Sequence, residues 1–154
     1  MTGARVEFEV QDETVLAVFE RLLARIDDPA PALAQIGEYG VQSTRDRIVS
    51  QNADPLAAWA PLSDAYRQSE TKRRHHPDEI LILYADLVST LASQADSEHV
   101  GWGSNRVYAA AQQFGRDEIG LPPRPFLGLT PLDRDKVLTI MEDWLGAAWG
   151  AGKV

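Results

Sequence analysis

Apolar residues recur at helical spacing in three long stretches of this chain and at strand spacing in two short ones. That patterning restricts the fold more than any other feature. Val15, Phe19, Leu22, Leu23 and Ile26 form one stripe on a helix that Asp12 can cap and that Asp27-Asp28-Pro29 and Pro31 end. A second helix is expected from about Pro31 to Ser50, with Leu33, Gly37, Gly40, Val41, Thr44 and Ile48 on one face. Its far end, Arg45-Asp46-Arg47, is expected to be polar and solvated. Glycine weakens a helix by up to about 1 kcal/mol relative to alanine, so Gly37 and Gly40 are expected where another backbone packs close. The start of the third helix is written out in Thr130-Pro131-Leu132-Asp133: a capping hydroxyl, a proline at the first helical position and a carboxylate three residues after the cap. Val137, Ile140, Met141, Trp144, Leu145 and Ala148 supply its apolar face, and Gly150 and Gly152 mark a flexible tail from about residue 147.

The strand patterns are short. Val6, Phe8 and Val10 alternate with polar residues, and Val100 and Trp102 share one face of a strand over residues 98–103. Residues 51–61 are irregular and hold Trp59; Ser63 or Asp64 then suits the start of a helix running to about Arg74. The run from Ile80 to Tyr84 fits helix or strand, and the spacing of Tyr84, Leu87, Val88 and Leu91 favours a helix beyond it. Asn105 introduces a short helix with Val107, Ala110, Ala111 and Phe114 as its stripe and Gly115 as its end. A stiff, extended, proline-rich segment follows and feeds a further strand. With no internal repeat and no dividing linker, residues 1–154 are expected to form a single small α+β domain, a short, mostly antiparallel sheet packed by four or five helices.

Composition narrows the chemistry. There is no cysteine, which removes disulfides, thiolate metal sites and cysteine nucleophiles together. The longest strongly apolar run, Ile80 to Tyr84, is far short of the roughly 20 residues of a membrane helix. Met1 to Val10 lacks an apolar signal region, so a cytoplasmic protein with no membrane partner is expected. The net charge of −8 argues against a protein that grips nucleic-acid phosphates. The one basic run, Lys72-Arg73-Arg74-His75-His76, reads as a solvated helix end.

Candidates for catalysis and metal binding are weak. Adjacent residues on a helix point about 100° apart, so His75 and His76 seldom reach one ion, even with Asp78 and Glu79 nearby. Gly101-Trp102-Gly103-Ser104 lacks the spacing of a nucleophile elbow, and Ser104 or Asn105 serves better as a cap. The carboxylate pairs Asp27-Asp28, Asp78-Glu79 and Glu142-Asp143 sit where helix ends and solvent account for them. No catalytic, cofactor or metal site is expected.

Read in order, several segments form a known pattern. They are Trp59-Ala60-Pro61-Leu62-Ser63, Lys72, the run Ile80 to Tyr84, Val100 to Ser104, Tyr108-Ala109 with Gln113-Phe114-Gly115, and Leu121-Pro122-Pro123-Arg124-Pro125-Phe126-Leu127-Gly128. From Gly37 to Leu145 the chain resembles the virion morphogenesis, or tail-completion, family of Mu-like phages and prophages. It departs from the family pattern at Ala85-Asp86, where a Thr-Gly or Ser-Gly pair is common, and at Gln112, where histidine is frequent. The resemblance implies a structural, non-enzymatic subunit that completes tails or joins head to tail, working in the host cytoplasm and then in the virion. It implies a homo-oligomer, a ring through which DNA can pass without sequence-specific binding, docked to tail or neck proteins. The alternative is a chaperone or regulator of tail assembly that never enters the particle. Trp59 and the arm Leu121, Pro122, Pro123, Arg124, Pro125 and Phe126 are the candidate interface, because a stiff segment loses little entropy on docking and aromatics dominate interface energetics.

Overall fold

A computed structural model of the chain describes residues 13–51 and 58–150. The strand expected at Val6 to Val10 and the cap at Asp12 lie outside those residues. In chain order the elements are α1 (Glu13–Asp27), α2 (Ala30–Val49), α3 (Asp64–Gln68), α4 (Glu70–Arg74), α5 (Asp86–Ser89), β1 (Leu91–Ala95), β2 (Val100–Ser104), α6 (Ala109–Phe114) and α7 (Pro131–Gly150). A 3-10 turn at Asp117–Ile119 joins α6 to the proline arm. The result is a small α+β domain. α7 continues to Gly150, past the point near residue 147 where its glycines suggest a flexible tail.

α2 organises the rest. Its apolar face crosses the antiparallel hairpin of β1 and β2, in which Ser93 pairs with Trp102 and Ala95 with Val100. The hairpin turn is set by Asp96, whose carboxylate accepts from the backbone of Glu98 and His99 at 2.7 Å. The two glycines of α2 sit at this crossing, but what comes close is side chain rather than backbone. A methyl group on Gly40 would stand 2.5 Å from the Trp102 indole, and one on Gly37 would meet the Ser93 side chain at 2.9 Å. The indole is held in place by its N–H, which donates to Thr44 Oγ1 at 3.2 Å. Gly40→Ala is therefore expected to lower stability by about 1–3 kcal/mol, although alanine is the better helix former by about 1 kcal/mol. The control is Gly146→Ala on α7, where nothing lies within 4 Å of the added carbon. That change should leave a urea midpoint unmoved or raise it, and equal effects at the two sites would contradict the packing argument.

The core gathers Val41, Ile48, Ile82, Leu87, Leu91, Ala109 and Phe126, with Trp59, Trp102 and Leu127 against it. α7 packs on the other side of α2 and on α1. The expected capping box is present: Thr130 Oγ1 accepts from the Asp133 N–H at 3.1 Å, and the Asp133 carboxylate accepts from the Thr130 N–H at 2.8 Å. Asp133 does more than cap. It also accepts from Tyr39, Ser43 and Arg47 of α2 at 2.8, 2.6 and 3.1 Å. Arg47 is thus buried, not solvated as its polar neighbours suggest, because it spans α2, α7 and the Phe126 carbonyl, to which it donates at 2.7 Å.

Four local expectations are corrected. The helix expected across Tyr84 to Leu91 shrinks to the single turn of α5, and Leu91 opens β1 instead. Left-handed backbone at Leu81 (φ 64°) and Ala85 (φ 59°) breaks the helical register there. The helix from Ser63 to Arg74 is two short ones, with Ser63 and Ser69 each accepting from the N–H three residues on. In α6 the inward residue is Ala109, while Val107 and Phe114 are exposed. The segment after Gly115 forms only an isolated bridge between Arg116 and Leu121, not a further strand.

Candidate functional site

The proline arm stays extended because side chains satisfy its backbone. The Gln113 amide oxygen accepts from the N–H groups of Phe126 and Leu127 at 2.9 and 3.0 Å, and its NH2 donates to the Leu127 carbonyl at 3.1 Å. One side chain thereby does what a neighbouring strand would do. The Trp59 indole N–H donates to the Pro125 carbonyl at 2.7 Å. The Arg124 guanidinium reaches back to the carbonyls of Ala60 and Pro61 at 2.8 and 3.0 Å. The Trp59 loop and the arm are therefore one unit.

Between them opens a cleft of about 630 Å3. Pro61, Leu62, Ser63 and Tyr66 line it together with Leu121, Pro122 and Arg124 of the arm. Lys72, Leu81, Ile82, Leu87, Tyr108 and Gln112 line it as well. Segments scattered over some sixty residues of sequence thus meet at one opening.

Lys72 is the residue the sequence reading misplaced. Its neighbours Arg73 and Arg74 are exposed, but Lys72 is only 1% exposed, and its ammonium donates to the carbonyls of Glu79 and Ile82 at 2.7 and 2.6 Å. The cation is directed inward because the turn from Glu79 to Ile82 leaves carbonyls that no helix or strand satisfies. Burial lowers the Lys72 pKa, partly offset by the nearby Glu79 and Asp78. Burial likewise lowers that of Arg124, against a small opposing effect of Tyr66. Among the described residues, the hydrogen bonds of both cations go to backbone carbonyls. The amide oxygen of Gln112, another lining residue, is buried without a hydrogen-bond partner.

The candidate interface residues divide accordingly. Trp59, Leu121, Pro122 and Pro125 are half-buried and Pro123 is exposed. Phe126 is wholly buried in the core, and Arg124 is 5% exposed. Leu121 and Pro122 line the cleft, and so do Leu62, Tyr66 and Tyr108, which the sequence reading did not single out as interface. A signal was available, since all three lie in or beside the motif segments.

Elsewhere the polar clusters have structural uses. Ser104 Oγ lies 2.8 Å from Thr90 Oγ1 and accepts from the Arg106 N–H, so it closes a turn as a cap does. His75 packs edge-on to Tyr84, and His76 pairs with Glu79. Among the described residues, no three histidine, aspartate or glutamate side chains come close enough together to hold a metal ion. No helix among them is long and apolar enough to cross a membrane.

The structure is a small α+β scaffold that brings scattered motif segments to one open cleft. The chain belongs to the phage virion morphogenesis family, which it matches over residues 10–146. It is 23% identical over 125 residues to a protein of Escherichia phage Mu named for capsid assembly, protein G, covering 76% of this chain and 80% of that one. It is 26% identical over 147 residues to the G protein 2 of the Mu-like prophage FluMu of Haemophilus influenzae, covering 90% and 95%. No solved structure gives a significant match.

Proposed function

We propose that this chain is a non-enzymatic tail-completion or head–tail joining subunit, which self-associates as a ring and docks tail or neck proteins. Membership of a virion morphogenesis family supports an assembly role. The observation that carries the docking part is the cleft, which motif segments line with both apolar and polar surface. A ring lumen walled by a chain of net charge −8 would repel DNA weakly and let it slide.

Tyr66 is 44% exposed and Leu62 half-buried, so glutamate at either position should leave the fold intact. Each variant is expected to reduce joined particles in a complementation assay by about tenfold or more, the loss typical of a hot-spot residue. Normal yields from both would remove the cleft from the proposal. Mass spectrometry of purified particles addresses the subunit role itself: the chain should be present, and its absence from joined particles would leave an assembly factor that departs.

A further inference from the structure

The turn from Glu79 to Ile82 belongs to no helix or strand, and two side chains hold it. Gln51 brackets Ile80: its amide oxygen accepts from the Ile80 N–H at 2.6 Å, and its NH2 donates to the Ile80 carbonyl at 3.1 Å. The Lys72 ammonium takes the carbonyls on either side, Glu79 at 2.7 Å and Ile82 at 2.6 Å. Between those two contacts stands Leu81 with φ 64°, in the left-handed region that residues with a side chain rarely adopt. Such a backbone persists only where its surroundings over-determine it. Glu79, Leu81 and Ile82 all line the cleft, and so does Lys72, although it is only 1% exposed.

We propose that Lys72 is a positioning residue of the cleft: its ammonium clamps the left-handed turn at Leu81 and so sets the lining that a partner meets. The inference rests on the docking reading of the cleft given above. Without the cation, the Glu79 and Ile82 carbonyls lose a charge-assisted donor, and Leu81 loses the contacts that flank its left-handed backbone. Relaxation to a right-handed or extended backbone then turns the Leu81 side chain and shifts Ile82 with it. The apolar cluster of Val41, Ile48, Leu87, Leu91 and Phe126 is held by burial rather than by this charge, so the effect of losing the charge is local. Lysine suits the task because its ammonium is a compact charge on a flexible stem, able to reach carbonyls seven and ten residues along the chain.

The chain has no cysteine, so Lys72→Cys can be alkylated at one place, in urea before refolding. An aminoethyl group restores an ammonium at the length of lysine, and a propyl group matches that length without the charge. Amide hydrogen exchange on the full-length chain then reads the turn. In the propyl form the Glu79 and Ile80 amides should exchange about tenfold or more faster than in the wild type. The aminoethyl form should return them to within about twofold of wild type, and the amides of β1 and β2 should keep their rates in both forms. Wild-type rates at Glu79 and Ile80 in the propyl form would overturn the inference. So would equal acceleration throughout the domain, which marks a lysine that supports the whole fold. If the propyl form does not fold, Leu81→Gly is added to it, because glycine adopts a left-handed turn without a clamp. Recovery of the fold supports the inference, and continued unfolding overturns it. Particle joining is read separately, by adding each purified form to lysates that lack the gene. Where the wild type joins particles, the propyl form should join about tenfold fewer and the aminoethyl form the wild-type number. Equal joining by all three would overturn the positioning role. A wild type that joins nothing removes the docking reading and leaves the exchange rates to decide the clamp.

Discussion

Asp133→Ala is expected to lower the stability of the fold by about 3–5 kcal/mol, the usual penalty for leaving one member of a buried ion pair alone. Arg47 would keep its charge with 7% of its surface exposed and only the Phe126 carbonyl and the Ser43 hydroxyl as partners. Tyr39 and Ser43 would lose their acceptor, and α7 its cap. Urea unfolding at neutral pH measures the change, and a loss below about 1 kcal/mol would contradict this account of how α2 and α7 are joined. The same group sets an acid limit. Burial alone would raise the Asp133 pKa, but hydrogen bonds from Ser43, Thr130 and Tyr39 outweigh it and hold the carboxyl down to about 2, against an ordinary 3.8. A depressed carboxylate stabilises the fold fully above 3.8, and that contribution, about 2 kcal/mol, is lost as pH falls toward 2. Asp133→Ala should flatten stability across that window.

Phe126→Ala is expected to cost about 3–5 kcal/mol as well, for a different reason. The ring is 0% exposed and belongs to the cluster with Ile48, Leu87 and Leu91, so its removal leaves a cavity beneath the cleft. The arm, pinned by Gln113, Trp59 and Arg47, cannot readily collapse to fill it. The variant also separates two roles for this residue. A core anchor loses monomer stability, read as a lower urea midpoint at unchanged slope. A side chain that works by touching a neighbour would leave the midpoint alone and weaken assembly only, which would contradict the placement of Phe126.

Local signals in the sequence carried over where they concern backbone chemistry within a few residues. The capping box at Thr130 and Asp133, the end of α6 at Gly115, the cap at Ser63 and the inward pair Val100 and Trp102 are of this kind. What could not be read locally is what distant segments do to one another. β1 reads Leu-Ala-Ser-Gln-Ala, a sequence with little strand preference of its own, and it is a strand because α2 lies across it. The inward turn of Lys72 depends on free carbonyls seven and ten residues later. The polar tie on α2 was partly legible, since Tyr39, Ser43 and Arg47 recur every four residues, but its acceptor lies about ninety residues away. The candidate interface residues divide between core and surface in a way their segments do not reveal. Aromatic and proline content marks the arm, and only the fold shows that Phe126 points in while Leu62 and Tyr66 face the opening.

The central claim is that this chain finishes a phage particle by joining parts that others build. Electron microscopy of induced lysates with and without its gene tests that most directly. The account predicts full heads and finished tails lying separate in the deletion, rejoined when the purified protein is added back. Normal joined particles in the deletion would contradict it.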